Sequence, residues 1–211
     1  MLLSEYMKTT FPHLELKAPL FYSWPIGIRF ELGVYLNDED DRGDYMQEAY
    51  RRAIGLFEAV HDMDDEILVV VDVYDYGVFK RFTPKVKVFK RYVKQKAVRF
   101  KMTQMIIPFV YPEDDEEGIC KTHRFTLKCK REDLKYQALL RAICNQDMGF
   151  SPRIYHRVYF INLKKSTIFH VYDDRGCDLL AASSCTIRNI YEQYNDWILD
   201  YDRERIDLVF Q

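Results

Sequence analysis

Apolar and polar residues alternate along PIGIRFELGVYL, where Ile26, Ile28, Phe30 and Leu32 share one face, and this period of two predicts a strand with a polar second face. In DYMQEAYRRAIGLFEAVH the spacing changes to four and three, through Met46, Tyr50, Ala53, Phe57 and Val60, which predicts an amphipathic helix. The β-branched run from Ile67 to Val73 in DDEILVVVDVY then reads as a buried strand.

Further on, Thr83 and Pro84 read as a helix start, with Val86, Phe89, Val93 and Ala97 as the apolar stripe of a helix over 84–101. TQMIIPFVY predicts a strand, and its internal proline places it at a sheet edge. The acidic PEDDEEG, residues 112–118, predicts a surface loop, and THRFTLKCK a second strand of the same hairpin. A helix in REDLKYQALLRAICNQDMG, strands in RVYFINL and STIFHVY around a Lys164-Lys165 turn, a helix in SSCTIRNIYEQYNDWILDY that Ser184 would cap, and a closing strand RIDLVF complete the chain. Several strands follow one another with no helix between them. The expected architecture is therefore α+β, a mixed and mostly antiparallel sheet carrying amphipathic helices. No glycine- or serine-rich linker interrupts residues 1–211, which read as one domain, with 80–120 as the place where two lobes would meet.

Composition narrows the class. With 211 residues, 48% hydrophobic and 15% aromatic, the chain can bury a full core. No apolar run approaches a membrane span, and Glu5 interrupts what would be a signal peptide's apolar region, so a cytoplasmic location with no membrane partner is expected. Five cysteines without a C-x-x-C pair suggest reduced, mostly buried thiols, with no metal and no cofactor. Charge is unevenly distributed. Residues 80–101 hold ten basic and no acidic residues, so the rest of a chain of net charge −2 carries −12.

FHVYDDRGCDLLA encloses Asp173-Asp174-Arg175-Gly176 between two strand-like runs, which predicts a hairpin whose aspartates bond the turn amides and whose glycine takes the position that tolerates positive φ. The same four letters occur at Asp40-Asp41-Arg42-Gly43, before a helix that Asp44 would cap. About one chain in three of this composition would show such a repeat by chance, so the two copies read as separate backbone devices. A catalytic reading would join His170, Asp173, Asp174 and Arg175, the carboxylates for a cation or for acid-base work and the arginine for an anion. A nucleic-acid reading would use Lys85, Lys87, Lys90, Arg91 and Lys94 on phosphates, with the interleaved aromatics Phe79, Phe82, Phe89, Tyr92 and Phe100 for stacking. Helical spacing turns most of those rings inward, and the pI of about 6.2 is low for such a role. Arg29 and Glu31 read as an exposed cross-strand pair.

The stretch from LKYQALLRAICNQDMG through HVYDDRGCDLLA to IYEQYNDWILDYDRERI, with WPIGIRFELG and RRAIGLFE before it, resembles a domain of unknown function found mainly in bacilli and relatives, with Y-D-D-R-G, here Tyr172 to Gly176, as its hallmark. The resemblance spans nearly the whole chain and implies no established activity. Small domains of this style often neutralise toxins. The expectation is therefore a protein-interaction module rather than an enzyme, with Tyr172, Asp174 and Arg175 facing a partner and the acidic loop 113–117 suited to a basic toxin. The alternatives are a hydrolase or nucleotide-acting enzyme at the hairpin, and nucleic-acid binding.

Overall fold

The computed structural model describes residues 3–35, 37, 41–78 and 86–211. Seven strands form one sheet: β1 Gly27–Glu31, β2 Glu66–Asp75, β3 Thr103–Pro108, β4 Lys121–Lys130, β5 Arg157–Asn162, β6 Thr167–Val171 and β7 Gly176–Ala181. Their order is β1-β7-β6-β5-β2-β4-β3, and every pairing is antiparallel. The helices are α1 Leu3–Thr10, α2 Arg42–Val60, α3 Lys87–Tyr92, α4 Lys96–Arg99, α5 Tyr136–Cys144, α6 Ser184–Gln193 and α7 Arg203–Phe210. Among the described residues no helix is long and apolar enough to cross a membrane.

The larger core lies on one sheet face. There the stripe Met46, Tyr50, Ala53, Phe57 and Val60 of α2 packs with Leu139, Leu140 and Ile143 of α5 against Ile28, Phe30, Val69, Val71 and Phe169. On the other face, Tyr6, Phe11, Leu14, Leu16 and Leu20 of the N-terminal segment cover Leu68, Val70, Tyr159, Ile161, Ile168 and Leu180. β2 is thus apolar without interruption from Ile67 to Val71 because both of its faces are covered there, a pattern that strict alternation would not produce.

Several expectations are corrected. RIDLVF is the helix α7, with Ile206 and Phe210 buried and Leu208 exposed. Apolar residues at i, i+2 and i+4 satisfy both periods over so short a run, and contact with Tyr191 resolves the choice: its ring stacks on Phe210 at 4.2 Å. The basic stretch is not one helix. It divides into α3 and α4 because Val93 leaves the helix to bridge Leu134; Thr83, Pro84, Lys85, Phe79 and Phe82 lie outside the described residues. The N-cap of α2 is Asp41 rather than Asp44: its carboxylate accepts from the amides of Gly43 and Asp44 (2.5 and 3.0 Å), and Asp44 answers to the amide of Asp41. Asp40 of that copy is outside the described residues. Ser183, not Ser184, occupies the N-cap of α6, without a side-chain bond, and the helix ends at Gln193 rather than running to Tyr201, because Ile198 leaves it to bridge Phe30 of β1.

The capping box at Asp41 makes a direct prediction. Asp41→Ala should lower stability by about 1 kcal/mol with an unchanged denaturant slope in urea unfolding, since one helix end loses its acceptor and nothing else moves.

Candidate functional site

The buried and half-buried ionisable residues of the second sheet face gather at one end of it, in cross-strand rows. Arg29 stands opposite Asp178, and Asp178 opposite His170. Asp72 stands opposite both Arg157 and Arg124. Asp72 and Arg124 form a buried two-pronged pair (2.6 and 2.7 Å), and Arg124 also donates to the Leu16 carbonyl, so this charge is closed on itself. Burial holds the Asp72 carboxyl above its ordinary range, against the pull of Arg124.

Arg29 is not paired with Glu31 and is not simply exposed. Its guanidinium donates to the Tyr172 hydroxyl (3.0 Å), the Tyr22 hydroxyl (2.8 Å) and the Asp202 carboxylate (3.1 Å). Its Cζ carbon lies 5.5 Å and 5.8 Å from the ring centroids of Tyr22 and Tyr172. Burial works against the charge, but these bonds outweigh it and hold the guanidinium above its ordinary value.

The hairpin between β6 and β7 sends its groups in different directions. Asp173 accepts from the Arg175 amide (2.8 Å) and from the Arg175 side chain, closing the turn on itself. Asp174 is buried toward α2 and accepts from the Tyr45 hydroxyl (2.9 Å); burial raises its carboxyl pKa. His170 is fully buried against Tyr159, its Nδ1 on the Val158 carbonyl (2.9 Å), and burial lowers its pKa to about 4. The four residues of the catalytic reading therefore do not converge on one point. Gly176 is not in the positive-φ region. It is needed for space, because a Cβ there would sit 2.5 Å from the Tyr172 hydroxyl and 2.8 Å from the Phe30 carbonyl.

Beside the hairpin lies a cleft of about 470 Å³. The sheet lines it with Arg29, Tyr74, Arg157 and Tyr172, the N-terminal segment with Ala18 and Pro19, the link between β3 and β4 with Phe109, Tyr111 and Asp114, and the hairpin with Asp173 and Arg175; Tyr76 completes it. Tyr74, Tyr76, Phe109 and Tyr111 meet edge to face at 5.5–5.9 Å along the contacts Tyr74–Phe109, Tyr76–Phe109, Tyr74–Tyr111 and Phe109–Tyr111. Arg29 and Arg175 have carboxylate partners, Asp202 and Asp173. Arg157 has none among the described residues: it reaches only the Tyr172 carbonyl, at 3.4 Å. Sequence reading missed Arg157 and the four rings, although Tyr74/Tyr76 and Phe109/Tyr111 sit two apart in strand-like runs, a same-face signal open to inspection.

The basic candidates are elsewhere. Lys87, Lys90 and Arg91 are exposed on α3, and Lys94 follows it with its ammonium on the Glu132 carbonyl (2.7 Å). Phe89 and Tyr92 are buried, which leaves Phe100 as the exposed ring among those described. No cluster of three metal-ligating side chains occurs among the described residues.

The model of a family described as "Domain of unknown function (DUF3885)" matches residues 3–202. The chain belongs to the DUF3885 family. A relative, the "Uncharacterized protein YnaE" of Bacillus subtilis (strain 168), is 29% identical over 206 residues, covering 93% of this chain and 96% of its own. No solved structure matches. In this DUF3885 chain the cleft spans strands from both halves of the matched region, and Tyr172, Asp173 and Arg175 form one of its walls.

Two outcomes follow from this geometry. Gly176→Ala should cost about 2–4 kcal/mol in urea unfolding, because backbone as well as a ring must shift, whereas Gly118→Ala, in open space at φ +66°, should cost about 1 kcal/mol from backbone strain alone. For pH, His61 and His170 are neutral in the fold at about 4 against an ordinary 6.5, so their contribution is complete above 6.5 and lost as pH falls through 4. Asp178 runs the other way. Burial raises it from 3.8 to about 6, so its contribution is complete below 3.8 and lost as pH rises through 6. Asp178→Asn should therefore gain stability over the parent at neutral pH, and the gain should shrink toward about pH 4.5; a gain independent of pH would contradict this assignment.

Proposed function

We propose that this protein acts by binding rather than by catalysis, and that its cleft receives an acidic side chain presented by a partner protein. The observation that carries the reading is Arg157, a half-buried guanidinium among five aromatic rings that forms no ion pair with a carboxylate among the described residues, Asp114 and Asp173 of the same cleft included. A partner carboxylate would meet planar donors in a site partly screened from water, where such a pair is stronger than on open surface. The surrounding rings supply apolar contact with the neighbouring partner residues, the usual makeup of an interface centre.

The titratable groups of the hairpin support binding over chemistry. Asp173 is tied to Arg175, Asp174 to Tyr45 and His170 to a backbone carbonyl, so none is poised to exchange a proton with a ligand in the cleft. The nucleic-acid reading has less support, because the basic stretch is divided and Phe89 and Tyr92 are turned inward. A second protein-binding reading, neutralisation of a basic toxin, is favoured by the exposed Asp114, Glu116 and Glu117.

One experiment separates these readings. A photo-crosslinking residue at Tyr76, exposed on the cleft rim, should yield a discrete protein adduct in an extract of the source cells, reduced at least about tenfold by Arg157→Ala and by raised salt. An adduct indifferent to Arg157→Ala but lost in Glu116→Lys/Glu117→Lys would replace this reading with the toxin one. No adduct, or one indifferent to both variants, would overturn the two together.

A further inference from the structure

β3 is one of the two edges of the sheet, the other being β1, which Ile198 bridges at Phe30, and β3 lacks the devices that usually keep such an edge from pairing. Within Thr103–Pro108 there is no charged residue; the one proline is the last residue, so the residues before it keep their amides. Met105 and Ile106 project to opposite faces and are 48% and 59% exposed, with Phe100 at 76% just before the strand. The strand is an uncovered apolar edge, ready to be extended.

The charges around it indicate what extends it. The segment that leads into β3 holds Lys96, Arg99 and Lys101, and the link from β3 to β4 holds Asp114, Glu116 and Glu117. Lys96, Lys101, Glu116 and Glu117 form no ion pair with any described residue. Six residues of strand hold the two clusters roughly 17 Å apart or more, beyond a Debye length at physiological salt, so within one chain they do little to neutralise each other. An antiparallel partner strand of the same sequence reverses the order. Its acidic end then lies beside the basic end of the first, and the reverse holds at the other end.

We propose that two copies of this chain associate through β3, strand against strand about a two-fold axis, joining two seven-stranded sheets into one. The contact is self-complementary in all three respects that a two-fold interface requires: antiparallel backbone pairing, an apolar centre at Met105 and Ile106, and opposite charges at its ends. It does not involve Arg157, although Asp114 borders both the cleft and the acidic end of this contact. It also engages Glu116 and Glu117, so a basic foreign protein would have to compete with the second copy for them.

The test is sedimentation equilibrium over a range of concentration and salt. The expected result is reversible doubling of the 25.4 kDa chain, weakened by salt, and weakened at least about tenfold by Ile106→Lys. Lys96→Glu/Lys101→Glu and Glu116→Lys/Glu117→Lys should each weaken self-association by a similar factor. Mixing these two variants should restore a dimer, and one chain carrying all four substitutions should dimerise as the parent does. Circular dichroism verifies that each variant is folded; the altered side chains are exposed, so their loss leaves the core intact. A folded parent that stays monomeric, a dimer indifferent to Ile106→Lys and to both charge variants, or failure of the mixed pair to associate would overturn the proposal.

Discussion

A guanidinium on a largely covered sheet face has to be surrounded by acceptors, and the cleft side of this molecule is arranged around meeting that need for Arg29. Its partners come from three remote places: Tyr22 in the N-terminal segment, Tyr172 at the end of β6 and Asp202 before α7. Removing a charge from water costs several kcal/mol unless its hydrogen bonds are replaced, so these three segments are held to one another through one side chain. The position of Tyr172 follows from this, and the absence of a side chain at Gly176 is the space that position requires. The hairpin wall of the cleft is therefore set by an interaction outside the hairpin.

The same constraint explains why the two sheet faces differ. The face under α2 and α5 is apolar through its centre and takes ordinary helix packing, with polar side chains such as Asn162, bonded to the Val60 carbonyl, at the strand ends. The opposite face changes character along each strand. On β2, Leu68 and Val70 are followed by Asp72 and Tyr74, and on β6, Ile168 is followed by His170 and Tyr172. The N-terminal segment closes the apolar half by burying Phe11, Leu14 and Leu16 on it. Over the polar half it makes only specific contacts, such as the Leu16 carbonyl on Arg124, the Phe21 amide on Asp178 and Lys17 on Glu113. A cleft stays open where full cover would strand Arg157 without a partner.

Much of this architecture was legible in residue periodicity. The strands at Gly27, Glu66, Thr103 and Lys121, the edge position of TQMIIP and the apolar stripe of α2 all follow from spacing and one proline. Errors fell where a short segment satisfied two periods, as at Ile206 and Phe210, or where a distant contact overrode local preference, as when Leu134 draws Val93 out of a helix. The repeated Asp-Asp-Arg-Gly shows the limit well. Asp41 caps a helix, whereas Asp173 closes a hairpin and Asp174 reaches across to Tyr45, although the letters are the same.

By itself the amino-acid sequence determined which residues face inward, how the elements follow one another and where charge is concentrated, because hydrophobic period and composition are local properties. Tertiary structure alone decided which polar residues meet. Arg29 and Tyr172 are 143 residues apart, and Arg124 and Asp72 are 52 apart; only strand order and register bring them together. A strand's spacing specifies its own two faces but contains nothing about its neighbour, so the pairing of charges, and the cleft that this pairing leaves open, had to come from the assembled sheet.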